Sequence, residues 1–310
     1  MADDIASTST VPGTAARPDA RGLAATLGAF LIWGLLPLYL KQLQTVPALQ
    51  ITAHRVAWAC LLAVAWLGWR GQLRRIAAAL ANTRVRLALF ASAALVSTNW
   101  LVYVWAVTNQ RIVEAALGYF INPLVNVLFG VVLLSERLNA AQWFAVALAG
   151  AGVAWLSWHA GQPPWIALAL AFSFGLYGLV RKLVSADALT GFAAETCLLL
   201  PIAAGYLVWC EIAGIGALGE AGPSLTLLLM LGGPLTAIPL VLFAYGARRI
   251  PYTTVGILQY TAPTIQLLVG VLLYDEPFAG PRVLGFALIW LALVVYAGDG
   301  AWRSRKARAL

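Results

Sequence analysis

The chain has 310 residues, 62% of them apolar and 10% charged, with a mean hydropathy of +0.84; soluble domains are about 45 to 50% apolar and about 25% charged, so a soluble globular fold is excluded. The formal charge of +8 does not indicate a nucleic-acid binder. That activity needs a clustered basic face on a soluble surface, whereas the basic residues here lie between apolar runs.

Residues 1–21 form a polar head that begins with Asp3 and Asp4 and lacks a basic n-region. The apolar run after it is too long for a signal-peptide core and reads as a first span. A bilayer-spanning helix needs about 20 apolar residues, because the hydrocarbon core is roughly 30 Å thick and each residue rises about 1.5 Å. Ten runs of that kind follow, at about 23–41, 49–69, 86–107, 112–134, 141–159, 164–182, 191–211, 224–246, 252–274 and 282–298. A basic tail, 299–310, closes the chain. The pattern predicts an all-α integral membrane protein of ten transmembrane helices. It leaves no room for a soluble catalytic domain, and runs such as Ala141 to Trp158 lack the alternation of a transmembrane β-barrel.

Sixteen of the twenty Lys and Arg residues fall on one side if the amino terminus is inside; Lys41, Arg111 and Arg282 fall on the other and Arg55 lies within a span. Basic residues are retained on the cytoplasmic side of short loops, which predicts cytoplasmic termini in a bacterial inner membrane. The longest loop, Arg70 to Arg86, carries Leu73, Ile76, Ala77 and Leu80 at helical spacing. It reads either as a short amphipathic helix on anionic lipid or as a solvated basic loop. Cys60, Cys197 and Cys210 lie in apolar runs without metal-ligand spacing and read as packing residues.

Sliding the chain over itself by 140 residues pairs Pro123 with Pro263, Gly130 with Gly270, Glu136 with Glu276, and Ala147-Leu148 with Ala287-Leu288. An offset of 141 pairs Gly34 with Gly175 and Lys41 with Lys182. The repeats are 22–160 and 161–298. Five spans per repeat is an odd number, so the second copy enters the membrane from the opposite side. Two inverted five-helix repeats around a midplane site are a recurring architecture of secondary transporters.

Ionisable residues within spans are costly, roughly 2.5 to 3.5 kcal/mol for Arg at a helix centre on insertion scales. His54, Arg55 and Glu114 share a depth near the outer side, which suggests an outer cluster with an Arg55–Glu114 pair. Glu195 matches Arg55 under the 140 offset but sits at the opposite end, where Arg181 or Lys182 is in reach. These groups read either as gates and coupling sites or as anchors of helix ends. Tyr119, Asn122 and Asn126 share a helix face, as do Gln259 and Gln266. Such stripes line a central cavity or join helices by hydrogen bonds. Pro123 and Pro263 free the carbonyls of Tyr119 and Gln259 and suit hinges or cavity walls. Asn99 and Tyr103, beside Trp100, and Ser173 and Tyr177 complete the proposed wall. Trp69, Trp158, Trp165 and Trp302 read as an interfacial belt. No nucleophile elbow, phosphate-cradling glycine loop, HExxH or zinc-finger spacing is present, so neither an enzyme nor a metal or cofactor site is expected.

The stretches His54-Arg55, Asn99-Trp100, Glu114 to Asn126, Gly178 to Lys182, Thr190-Gly191 with Glu195-Thr196, and Gln259-Tyr260 with Pro263-Thr264 resemble the EamA family of the drug/metabolite transporter superfamily. The resemblance covers about residues 22–298. It implies ten helices in two inverted repeats and export of small metabolites or drugs. Asp275-Glu276-Pro277 departs from the Gly-Glu-Lys that the resemblance leads one to expect. The expected activity is secondary transport of a small amphipathic molecule by alternating access. Its site would comprise Asn99, Tyr103, Tyr119, Asn122, Asn126, Tyr177, Gln259, Tyr260 and Gln266, with His54, Arg55, Glu114 and Glu195 for gating or coupling. Small-molecule substrate and membrane lipid are the expected partners, with self-association left open. A membrane binding, signalling or assembly subunit using the same cavity without flux is the alternative.

Overall fold

A computed structural model describes residues 19–134, 138–220, 222–247, 249–250, 254–255 and 258–308. Most of the polar head, Glu136, Arg137 and Arg248 lie outside the described residues. Among those described, the chain is helical and contains no strand. The helices are α1 (Ala20–Lys41), α2 (Ala48–Trp69), α3 (Leu73–Ala81), α4 (Thr83–Thr108), α5 (Ile112–Leu134), α6 (Ala140–Ala160), α7 (Trp165–Leu183), α8 (Ala188–Ile212), α9 (Ala217–Glu220), α10 (Gly222–Ala247), α11 (Thr261–Leu273) and α12 (Pro281–Arg308). Eight of them, α1, α2, α4, α5, α6, α8, α10 and α12, are long and apolar enough to cross a membrane, and α7 and α11 contain shorter apolar stretches.

Helix starts follow from local chemistry. Asp19, Asn82, Asn139 and Asp187 cap α1, α4, α6 and α8 by accepting a backbone N–H of the first turn, which satisfies donors that have no partner inside the helix. At Asn139 the cap is reciprocal, since the Gln142 side chain accepts from the Asn139 N–H. Asn82 also explains why α4 starts at Thr83 rather than near 86. The loop 70–86 holds a true helix, α3; Ile76 is buried in a cluster with Phe192 and Ala193 of α8, while Leu73 stays 46% exposed.

The expected ninth span is not one continuous helix in the described residues. Thr254, Val255 and Leu258 are helical, Gln259 and Tyr260 form a turn, and α11 starts at Thr261. Pro263 is the third residue of α11. There a missing N–H costs nothing, whereas the proline ring would clash with the carbonyl of residue 259 in an unbroken helix. Pro123, by contrast, lies inside a continuous α5. The tenth span continues helically through the basic segment as far as Arg308.

The bundle packs α1 on α10 and α11, α7 on α4 and α5, α2 on α8 and α10, α5 on α11, and α6 on α12. Close approach of α10 to α2 depends on Gly232 and Gly233. A Cβ at Gly232 would lie 2.9 Å from Arg55 Cγ, and one at Gly233 would lie 2.6 Å from Trp58 Cβ. Small residues at such contacts let helices in lipid meet by van der Waals packing, where no hydrophobic force drives them together.

Candidate functional site

The polar residues of α4, α5 and α7 form one connected layer. Asn99 Nδ2 donates to the Leu170 carbonyl and to Ser173 Oγ, both at 3.0 Å. Tyr119 donates to Asn99 Oδ1 at 3.2 Å. Asn122 donates to the Ala171 carbonyl at 3.0 Å and accepts from Asn126 at 3.2 Å. The amides therefore tie α4 and α5 to the α7 backbone. In the second half Gln266 donates to the Trp33 carbonyl at 3.0 Å, leaving its Oε1 without a partner. Gln259 and Tyr260 are half-buried at the break before α11, and the Tyr260 ring stacks on Phe120 at 6.4 Å.

Asn99 meets Ser173, and Trp105 meets Trp165 at 5.3 Å, so α4 and α7 run antiparallel. Tyr103 and Tyr177, each four residues beyond the Asn99–Ser173 contact, therefore diverge toward opposite ends. Tyr103 packs edge-on to Tyr119 at 5.7 Å. Tyr177 joins a second cluster, where its hydroxyl interacts with the Glu195 carboxylate.

That second cluster is built on Glu195, which is 1% exposed. Ser92 of α4 donates to it in a short hydrogen bond, and Arg181 Nε of α7 lies 3.6 Å from the same oxygen. Arg181 also donates to the Asp187 carbonyl at 3.3 Å. Gly191 makes room for this arrangement, because a Cβ there would overlap the Arg181 guanidinium. Ser92 was not legible as a site residue, since an isolated serine in an apolar run carries no pattern.

The expected outer cluster does not assemble. Arg55 and Glu114 do not pair; Glu114 pairs with Arg111 at 3.3 Å. Glu114 precedes Tyr119 by five residues, about 140° around the helix, so the two side chains leave α5 in different directions. His54 and Arg55, adjacent on α2, also point apart. His54 is buried with Nε2 unpartnered and has Glu211 as its electrostatic neighbour. Arg55 donates from Nε to Thr236 Oγ1 of α10 at 3.2 Å and lies over the Trp100 ring at 5.3 Å. From Ser92 to Trp100 is eight residues, about 12 Å along α4, so the Arg55 and Glu195 clusters occupy different levels.

At the end of the bundle where α1, α4 and α11 finish, Lys41, Gln42, Gln44, Gln110 and Tyr274 line a polar cavity of about 310 Å³. Lys41 lies over the Tyr274 ring at 4.8 Å. Beneath it Glu276 accepts the backbone N–H groups of Ile112 and Val113 at 2.7 and 2.8 Å, placing a carboxylate on the amino-terminal end of α5, where the helix dipole favours negative charge.

The profile of the EamA-like transporter family matches residues 20–158 and again 164–298. The chain belongs to the EamA-like transporter family. Among curated relatives of this EamA-like chain, an uncharacterized transporter of Pseudomonas aeruginosa is 46% identical over 293 residues, 92% of this chain and 95% of the relative. Protein RarD of Salmonella typhi is 43% identical over 291 residues, 94% and 99% of the two chains. A chloramphenicol-sensitive protein RarD of Pseudomonas aeruginosa is 34% identical over 298 residues, 94% and 98%. A crystal structure that is 22% identical superposes with a TM-score of 0.56 over 88% of this chain and 96% of that one, a likeness of fold. The protein is thus a multi-pass membrane transporter. In this EamA-like chain Asp275 has φ +51°, a left-handed conformation that glycine adopts at least cost, which gives a physical reason for glycine at that position.

Proposed function

We propose that this EamA-like protein is a secondary transporter that exports a small amphipathic metabolite or drug across the bacterial inner membrane by alternating access, without covalent chemistry. Its ten spans form two inverted repeats, 22–160 and 161–298, with both termini cytoplasmic. The observation that carries this reading is that equivalent residues make equivalent contacts. Gly34 of α1 packs on Ile265, and Gly175 of α7 packs on Val125; the glycines are 141 apart and their partners 140. Likewise Ser92 touches Glu195 and Gly232 packs on Arg55, and each residue of the first pair differs by 140 from one of the second. The packed helix pairs exchange in the same way: α1 on α10 corresponds to α7 on α4, and α1 on α11 to α7 on α5. Two related halves can swap outward-open and inward-open arrangements around a shared centre.

In this reading the Glu195, Arg181 and Ser92 cluster closes the inner side, and the polar cavity at Lys41 and Tyr274 is the outer mouth. The broken helix at Gln259 and Tyr260 supports a central site, because non-helical backbone at membrane depth is tolerated where it is buried in protein or lines a cavity. Asn99, Tyr103, Tyr119, Asn122, Asn126, Tyr177, Gln259, Tyr260 and Gln266 belong to the walls, with hinges at Pro123 and Pro263. The test is flux in proteoliposomes holding only this protein, with aromatic metabolites, amino acids, nucleosides and chloramphenicol offered. Vectorial movement that falls on alanine substitution of Tyr119, Asn122, Asn126, Gln259 and Tyr260 supports the assignment. Flux unchanged by all five refutes the site, and binding without flux refutes transport by this chain alone.

A further inference from the structure

Arg55 is 4% exposed, yet its charge meets no carboxylate among the described residues. Glu114 is held by Arg111, Glu195 by Arg181, and Glu276 by the amino-terminal end of α5. Glu211 accepts the Leu218 N–H and neighbours His54. A guanidinium has five N–H donors. Here Nε is used on Thr236, one face rests over Trp100, and buried Nη1 has no partner. A buried cation is normally paired, because losing water costs far more than one neutral hydrogen bond returns.

The electrostatic neighbours of the guanidinium are the hydroxyls of Tyr39, Tyr103 and Tyr119. Tyr39 donates to the Leu228 carbonyl at 2.9 Å and Tyr119 to Asn99, so those two protons are committed. The Tyr103 hydroxyl is buried without a partner. Two buried donors, one on α2 and one on α4, thus stand open among aromatic rings. The guanidinium lies over Trp100 at 5.3 Å and the Tyr103 ring packs edge-on to Tyr119 at 5.7 Å.

We propose that Arg55 and Tyr103 receive a carboxylate carried by the transported molecule, so that the substrate class is an amphipathic organic monoanion with an apolar or aromatic body. This rests on the transport reading above. The uncompensated guanidinium repels cations, and a neutral molecule leaves the cost of the buried charge unmet. A carboxylate has two oxygens for the two open donors, and charge-assisted hydrogen bonds of this kind are the strong ones. A phosphate monoester would call for a second cation, and the neighbours of Arg55 are tyrosines.

The experiment is untargeted analysis of spent medium from cells with and without the full-length protein, compared with cells expressing Arg55→Gln, Arg55→Lys and Tyr103→Phe. Membrane yield and monodispersity of each variant confirm folding. The expected result is that compounds accumulating outside because of the protein are carboxylates, falling about tenfold or more in Arg55→Gln and about fivefold in Tyr103→Phe, with Arg55→Lys between wild type and Arg55→Gln. If Arg55→Gln does not fold, Tyr103→Phe, which removes one hydroxyl, carries the test. Expression-dependent compounds that are neutral, cationic or phosphorylated, or carboxylates indifferent to the folded variants, overturn the carboxylate assignment while transport stands. No expression-dependent compound at all counts against the transport reading and takes this proposal with it.

Discussion

Replacing Arg181 by methionine removes the cation from Glu195 while keeping a side chain of similar length. Glu195 is 1% exposed and the Arg181 side chain 14%, with Nε 3.6 Å from the carboxylate. Ser92 and Tyr177 remain as donors in the variant, but neither supplies charge. Removing one partner of a buried pair costs about 3 to 5 kcal/mol, because the other is left as an uncompensated charge. The partial hydration of Arg181 puts the expected loss near the lower end, about 3 kcal/mol. Neutralising both, Arg181→Met with Glu195→Gln, should return stability to within about 1 kcal/mol of wild type, since buried pairs are often replaced at no net cost. The assay is a double-mutant cycle by denaturant titration of the detergent-purified protein, with coupling of about 2 kcal/mol or more between the sites. A double variant no more stable than Arg181→Met would refute the reasoning, because the penalty would then come from lost packing rather than a stranded carboxylate.

Glu276→Ala should destabilise by about 2 to 5 kcal/mol in the same titration, because it strands two buried N–H groups at the start of α5. Asp187 is partly desolvated, which opposes ionisation, but the Thr190 N–H and the Arg75 charge outweigh this and hold its carboxyl below the ordinary value of 3.8. Its contribution is therefore fully present above that value and is lost as pH falls through the lower folded-state pKa; Asp187→Asn should keep the cap while flattening the acid limb of a stability–pH curve. Cys60 and Cys197 bring sulfurs within 3.6 Å across α2 and α8, so copper phenanthroline should join them in a Cys210→Ser variant, read as altered mobility after protease cleavage between the helices; no cross-link would refute the apposition of α2 and α8.

Periodicity and charge were enough to reveal the helical membrane character of the chain, because a roughly 30 Å apolar slab imposes length and composition on each span independently of its neighbours. The caps at Asp19, Asn82, Asn139 and Asp187 are equally local. The 140-residue offset was also present in the residues, since Gly, Pro and Glu matches in register are not forced by hydrophobicity. The partners of the polar side chains were a different matter. Asn99 and Ser173 are 74 residues apart and Ser92 and Glu195 are 103 apart, and no local pattern says which helix rotates to meet which.

Depth alone suggested that Arg55 and Glu114 belong together, but depth is one of two coordinates on a helix. The other, azimuth, is set by packing: Gly232 and Gly233 draw α10 onto α2, which turns Arg55 toward Thr236 and Trp100 and away from Glu114. Local pattern located most of the helices and the polar residues within them, but not the break at Gln259 and Tyr260. Tertiary structure decided which of those polar groups are mutually satisfied and which, like Arg55 and Tyr103, are left open, because satisfaction depends on how helices from both halves of the chain turn toward each other once packed.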